Sequence, residues 1–100
     1  MSRRLIIRGE AEADIAESAL WYNEHEPGLG LQLTAEIRAA ILRVVANPFF
    51  HLQLRKNPDV RRVLTRGFPY RVFFIVRDDA IVVFAVLHAA RHDRHWKRRV

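Results

Sequence analysis

No cysteine occurs in this 100-residue sequence, so disulfide bonds, thiolate nucleophiles and cysteine-ligated metals are all excluded. Long apolar runs are missing as well. The stretch at Ile81–Leu87 is far shorter than the about 20 residues that a membrane-spanning helix needs, and Leu5–Ile7 is too short for the core of a signal peptide. We therefore expect a soluble, cytoplasmic protein in which residues 1–100 form a single domain.

Basic residues are absent from one segment and concentrated in two others. Residues 10–26 contain six carboxylates and no Lys or Arg, whereas residues 55–77 contain seven Lys or Arg and one Asp. Residues 91–99 add five Lys or Arg against one Asp. This distribution predicts an acidic face and a basic face, the latter suited to phosphates or an acidic protein partner. The alternative is that the charges only keep a small domain in solution.

Two amphipathic helices are predicted in the first half of the chain. From Glu10 onward, apolar residues recur at spacings of four, four and three, as on one face of a helix: Ala11, Ile15, Ala19 and Tyr22. The sequence EPGLG at residues 26–30 should end this helix. A second apolar stripe runs from Leu29 to Val44 and stops before Pro48. The two helices should form an antiparallel hairpin after a short strand at Leu5–Arg8.

Three strands are predicted in the second half, at residues 60–65, 70–77 and 81–88, whereas residues 48–59 are expected to be irregular. If Asp78 and Asp79 form a two-residue hairpin loop, His88 shares a sheet face with Arg71. That face would expose an apolar patch in the free chain, formed by Phe73, Ile75, Val82, Phe84 and Val86. The predicted fold is α+β, a β-α-α-β-β-β chain with the helix hairpin on one face of an antiparallel sheet.

This order of elements resembles the RelE/ParE superfamily of toxins from bacterial type II toxin–antitoxin systems. The resemblance lies in three segments, AEADIAESALWYNEHEPGLGLQL at 11–33, VRRVLTRGFPYRVFFIV at 60–76 and AVLHAARHDRHW at 85–96. It implies a growth-inhibiting toxin with a cognate antitoxin, usually encoded next to it, and no cofactor. An acidic, amphipathic antitoxin segment would suit the apolar patch and the arginines at its margins.

The resemblance implies one of two activities. RelE-like members are ribosome-dependent mRNA endonucleases, in which the ribose 2′-hydroxyl attacks the neighbouring phosphodiester without a metal. In that branch Arg71 and Arg91 would hold the phosphate, His88 would act as base, and His95 or His92 as acid. ParE-like members bind and poison DNA gyrase, which requires a surface and no catalytic set. The length of the helix hairpin and the sequence VLH at 86–88 favour the ParE-like branch slightly.

Each candidate residue also has a structural interpretation. Arg71 suits an ion pair on the sheet as well as a phosphate, and His88 suits a hydrogen-bonded strand end. Trp96 is expected to pack the C-terminal segment onto the domain rather than to stack on a base. Residues 97–100 are expected to be dispensable for folding. Target or nucleic-acid contacts are predicted for Arg61, Arg62, Arg71, Arg91, Lys97 and Arg98.

Two other functions are less well supported by the sequence. The spacing of His88, His92 and His95 superficially suits zinc, but HExxH and cysteine pairs are missing, so no metal site is expected. A plain basic RNA-binding module is the third possibility. Two aromatic residues on the predicted open face, without the sequence expected of an RNA-recognition motif, argue against it.

Overall fold

Both predicted helices are present in the computed structural model, which describes residues 3–100. Helix α1 spans Gly9–His25 and helix α2 spans Leu29–Ala46. The chain reverses at Gly28, whose φ of 93° is a left-handed conformation that favours glycine. The buried Gly30 lets the helices meet, because a Cβ there would overlap the carbonyl oxygen of Ala19 and the side chain of Asn23. Asn23 Oδ1 also accepts the N–H of Gly30 at 2.8 Å, which satisfies a free donor at the start of α2.

Five strands form one sheet in the order β1-β5-β4-β3-β2. Their bounds are β1 Arg4–Ile7, β2 Leu52–Arg55, β3 Asp59–Leu64, β4 Tyr70–Val76 and β5 Ala80–His88. The α+β class and the helix hairpin on one sheet face are confirmed. The expectation of a purely antiparallel sheet is wrong, because β1 pairs with β5 in parallel. A tight hairpin turn forces two strands to run antiparallel, but β1 and β5 are far apart in the chain. Their relative direction therefore could not be predicted from a turn.

The segment expected to be irregular contains a 3-10 turn at Pro48–Phe50 and the additional strand β2. Strand β2 lies at the edge of the sheet and pairs with β3 over only a few residues, with an irregularity between Gln53 and Arg55. A strand this short carries little alternation of its own. Its formation therefore depends on the neighbouring strand rather than on local sequence.

A β-bulge between Phe73 and Phe74 changes the predicted register of β4 and β5. On the hairpin side of the bulge Ile75 pairs with Val82, as predicted, but beyond it Arg71 pairs with Leu87 and Tyr70 with His88. The extra residue on β5 reverses which face the following side chains occupy. The predictions that Val86 lies on the open face and that His88 shares a face with Arg71 are therefore wrong.

The sheet separates two apolar clusters. Between the sheet and the helices lies one cluster to which α2 contributes most, including Leu33, Ile37 and Val44. On the other sheet face, which we call the open face, the second cluster contains Phe73, Ile75, Val82, Phe84 and Trp96. Trp96 belongs to α3, a short helix at Arg94–Lys97. Within residues 3–100, no helix is long and apolar enough to cross a membrane.

Candidate functional site

The C-terminal segment covers the open face. Trp96 is 4% exposed and stacks on Phe73, with ring centroids 5.8 Å apart and planes at 21°. Phe73, Ile75, Val82 and Phe84 are each at most 2% exposed. The predicted packing of Trp96 is confirmed. The expectation of an exposed apolar patch is wrong, because the chain's own C-terminal segment occupies that surface.

An ion pair holds the end of this segment against α1. The Arg99 guanidinium donates to both carboxylate oxygens of Asp14, at 2.6 and 3.0 Å, and to the carbonyl oxygen of Phe84 at 3.2 Å. Asp14 also accepts the N–H of Val86 at 2.9 Å, beyond the last residue of β1 that pairs with β5. The hydrogen bond to Asp14 raises the pKa of Arg99. The segment's end is therefore fixed, and Arg99 is part of the fold.

Arg71 lies on the open face beside the C-terminal segment. Its guanidinium is 3.7 Å from the carboxylate of Asp93, which is itself largely exposed. The Arg71 Nε is buried and has no hydrogen-bond partner within residues 3–100. A planar guanidinium with an unused donor can bind an oxyanion. The Nε is closed to solvent here, so the geometry includes the predicted ion pair but no Nε donor that a phosphate reaches directly.

His88 lies on the helix side of the sheet, opposite Tyr70 on β4. The two rings meet edge to face with centroids 5.5 Å apart. The N–H of Ala90 donates to His88 Nδ1 at 3.0 Å. A neutral His88 therefore carries its hydrogen on Nε2, and its basic lone pair is already used.

The residues after β5 form their own local contacts. Arg91 and His95 are joined by a hydrogen bond from the guanidinium to His95 Nδ1, at 3.2 Å. His92 Nδ1 accepts the N–H of Arg94 at 3.0 Å. Desolvation lowers the pKa of His95, and the nearby positive charges of Arg91, Arg94 and Arg98 lower it further. His95 is thus held neutral near pH 7, which makes it a poor proton donor.

The other predicted contact residues are divided between surfaces. Arg61 forms an ion pair with Asp59 at 3.0 Å and donates to the carbonyl of His51, so it is engaged within the fold. Arg62 follows on the opposite face of β3, since β-strand side chains alternate. Lys97 lies over the Trp96 ring at 5.8 Å, and Arg98 is exposed. Arg62, Lys97 and Arg98 therefore remain candidates for target contact on the open side.

A pocket that sequence reasoning did not identify lies between α1 and the end of β5. It has a volume of about 360 Å³ and is lined by Glu17, Ser18, Trp21, Tyr22, Tyr70 and His88. Burial and the neighbouring Tyr70 phenol raise the pKa of Tyr22, so its ring stays neutral. Helical spacing of Glu17, Ser18, Trp21 and Tyr22 indicates a shared face. No sequence signal pairs that face with Tyr70 or His88, which are distant in the chain.

Metal ligands do not converge anywhere in the described part of the chain. Residues 3–100 contain no group of three or more His, Asp or Glu side chains arranged to hold a metal ion. The three C-terminal histidines instead accept hydrogen bonds at Nδ1 from neighbouring groups.

Comparison with known proteins adds a family and two structural neighbours. Residues 5–93 match the model of the ParE toxin of the type II toxin–antitoxin system parDE. The chromosomal ParDE system of P. aeruginosa contains a chain that superposes with a TM-score of 0.76 at 17% identity, over 87% of this chain and 96% of that one. A mutant of the E. coli toxin RelE in complex with an antitoxin RelBc peptide superposes with a TM-score of 0.62 at 20% identity, over 100% of this chain and 96% of that one. No curated protein matches the chain by sequence.

Proposed function

Since this chain belongs to the ParE toxin family of type II toxin–antitoxin systems, we propose that it arrests growth by binding DNA gyrase, without a catalytic step. The binding surface is the basic open side of the sheet together with the C-terminal segment. A cognate antitoxin neutralises it. The proposal deepens the family assignment, which by itself leaves the target open.

The division of the candidate catalytic residues carries this proposal. Cleavage of RNA by the attack of a 2′-hydroxyl requires a base, an acid and a phosphate clamp around one phosphodiester. Arg71 lies on the open face, where it faces Asp93, whereas His88 lies on the helix side, where it packs on Tyr70. Because the two side chains lie on opposite faces of the sheet, they do not converge on one site in this structure. This arrangement favours a binding surface over a nuclease site.

Hydrogen bonding of the histidines points the same way. A histidine that acts as base needs a free lone pair, but His88 Nδ1 accepts from Ala90 and His95 Nδ1 accepts from Arg91. A histidine that acts as acid needs a proton, but the pKa of His95 is lowered. Both groups would have to rearrange before they could transfer a proton.

The RelE-like mRNA endonuclease is the second candidate function. The cleft that His88 and Arg91 line together beside the first pocket favours it. The unpartnered Nε of Arg71 is buried, so it could donate to a phosphate only after the C-terminal segment moved. In this alternative the ribosome would reposition the C-terminal segment so that Arg71, His88, Arg91 and His95 act on one message. The observed separation of Arg71 from His88 makes this the weaker proposal.

Antitoxin binding to the predicted apolar residues has a structural requirement. Phe73, Ile75, Val82 and Phe84 are buried beneath Trp96, so an antitoxin segment reaches them only after α3 moves away. Val86 lies in the helix-side cluster and is not accessible by that route. We expect the antitoxin to replace the contacts of Trp96 with apolar side chains of its own.

Growth assays test the toxin assignment of this particular chain. Induction of the chain alone in a bacterial host should stop growth, and co-expression of the neighbouring reading frame should restore it. Unimpaired growth with soluble, folded protein present would contradict the proposal.

A supercoiling assay with purified gyrase separates the two targets. The chain should inhibit supercoiling, and His88→Asn should retain that inhibition, because an asparagine oxygen can replace Nδ1 as the acceptor for Ala90. A ribosome-bound message should remain intact in a parallel reaction. Cleavage of that message by the wild type, abolished by His88→Asn and Arg71→Ala, would replace gyrase with mRNA as the target.

A further inference from the structure

The pocket between α1 and the end of β5 has walls made largely of aromatic rings. Trp21 and Tyr22 meet edge to face with centroids 5.0 Å apart and planes at 79°. Tyr22 and Tyr70 follow at 6.2 Å and 61°, and Tyr70 and His88 at 5.5 Å and 76°. The planes of successive rings around the pocket are therefore strongly inclined to one another. His25 stacks on Trp21 with centroids 3.9 Å apart, which fixes the orientation of the indole.

One carboxylate, that of Glu17, lines this pocket. Glu17 lines both the pocket and the adjoining cleft, which Asp14 and Arg91 also line. Asp14 is neutralised by Arg99, so Glu17 is the lining carboxylate without an ion-pair partner among residues 3–100. The surrounding segment, residues 10–26, has six carboxylates and no Lys or Arg. Its negative potential repels phosphates and attracts cations.

A cation suits both features of the pocket. The faces of aromatic rings carry partial negative charge and attract ammonium and guanidinium groups. A guanidinium is planar, stacks on aromatic faces and can donate two parallel hydrogen bonds to a carboxylate. The volume of about 360 Å³ lies at the lower end of the range for small-ligand sites, which is enough for one long side chain.

We propose that this pocket binds an arginine side chain presented by a partner protein, with its guanidinium against Trp21 and Tyr22 and its N–H groups on Glu17. The proposal goes beyond the proposed function, because it requires neither gyrase nor neutralisation by an antitoxin. It assigns the acidic side of the molecule a protein-binding role separate from the basic open side.

NMR titration of the full chain with a short peptide tests the site. The probe is acetyl-Gly-Arg-Gly-amide, and its control is the same peptide with citrulline, which has nearly the shape of arginine without the charge. The arginine peptide should shift the Trp21 indole signal and the Tyr22 and Tyr70 ring signals saturably, with a Kd on the order of millimolar. The citrulline peptide should not saturate. Equal binding of both peptides would overturn the proposal.

Three substitutions test the site further, because each should change the affinity for the arginine peptide in a different direction. Glu17→Gln should weaken binding by at least about fivefold, because it removes the carboxylate while keeping the shape. Glu24 lies on the same helix but outside the pocket, so Glu24→Gln is the control and should change binding little. Arg91→Gln should strengthen binding, since it removes the like charge from the adjoining cleft. Unchanged affinity in Glu17→Gln, with a folded spectrum, would also overturn the assignment.

Discussion

Trp96 anchors the C-terminal segment that covers the open face of the sheet. It is almost fully buried, stacks on Phe73 and lies beneath the guanidinium of Arg55 at 5.6 Å. Trp96→Ala should lower the free energy of unfolding by about 3–5 kcal/mol, because truncation leaves a cavity over the sheet. Urea denaturation measures the change. Lys97→Ala is the matched control and should stay within about 0.5 kcal/mol of the wild type. A wild-type midpoint for Trp96→Ala would mean that α3 is not anchored there.

His95 should make stability depend on pH. Its pKa is lowered in the folded chain, by desolvation first and then by Arg91 and neighbouring cations. Below its unfolded value of about 6.5, the unfolded chain binds the proton more readily, so stability falls as pH drops through that value. His95→Gln should therefore reduce the decrease in Tm between pH 7.5 and 5.5. Identical pH profiles for the two proteins would exclude His95 as the cause.

The faces of individual side chains were predictable only up to the bulge. Alternation placed Phe73 and Ile75 correctly relative to Val82 and Phe84. Past the bulge it failed for Val86 and His88, because both faces of β5 are apolar here. When neither face of a strand is polar, the alternation of polar and apolar residues is missing, so the sequence does not show where an extra residue is inserted. The predicted association of His88 with Arg71 failed for this reason, whereas the predicted proximity of Arg91 to His88 agrees with the cleft that both line.

At the scale of elements, Gly30 determines how closely the two helices approach. Gly30→Ala should destabilise the fold by about 1–3 kcal/mol, because the new Cβ would meet the backbone carbonyl of Ala19, which cannot move independently of α1. Gly9→Ala is the matched control in α1, where an added Cβ meets no atom within 4 Å. It should be neutral or stabilising by up to about 1 kcal/mol. Equal stability of the two variants, measured by thermal unfolding, would show that the hairpin tolerates a wider spacing.

The Arg99–Asp14 ion pair fastens the C-terminal segment to α1. Both side chains are mostly buried, with exposures of 23% and 13%, so the pair is screened less than a surface contact. Arg99→Ala should cost about 1–3 kcal/mol, partly because Asp14 loses its charged partner. Arg98 is an exposed neighbouring residue, so Arg98→Ala is the control and should change the free energy of unfolding little. A double-mutant cycle with Asp14→Ala measures the coupling, and a coupling near zero would make the contact energetically unimportant.

This ion pair revises the expectation that residues 97–100 are dispensable. Deleting them removes Arg99 along with the exposed Lys97 and Arg98, so the deletion should destabilise the fold as well as reduce positive charge. Asp14 and Arg99 lie 85 positions apart, and neither belongs to a recognisable motif. Helices α1 and α2 were predictable because their apolar stripes are long. Strand β2 and helix α3 were not, since four residues each carry too little periodicity and depend on tertiary contacts.

At the scale of the whole molecule, the acidic residues and the C-terminal cations lie on different elements. The acidic residues cluster on α1, and the exposed cations Lys97 and Arg98 lie beyond Trp96 with Arg62 on the open side. The sequence predicted an acidic face and a basic face, but the basic residues of 55–77 divide between the two sheet faces, as Arg61 and Arg62 do. The sequence did not predict that the open side is closed by the chain's own C-terminal segment. The proposed target surface and the internal cover of the sheet therefore share the C-terminal segment.

Removal of charge from the open side should weaken gyrase binding without unfolding the chain. The combined variant Arg62→Gln, Lys97→Gln and Arg98→Gln loses three cations, and long-range attraction falls with them. The loss in affinity should be largest at low salt and shrink as screening shortens the Debye length from about 30 Å at 0.01 M to about 8 Å at 0.15 M. Glu12→Gln with Glu24→Gln is the control on the acidic side and should not weaken binding. Binding to immobilised gyrase over a salt series measures both variants. A loss that is independent of salt would indicate direct contacts instead, and no loss at any salt would remove the open side from the target interface.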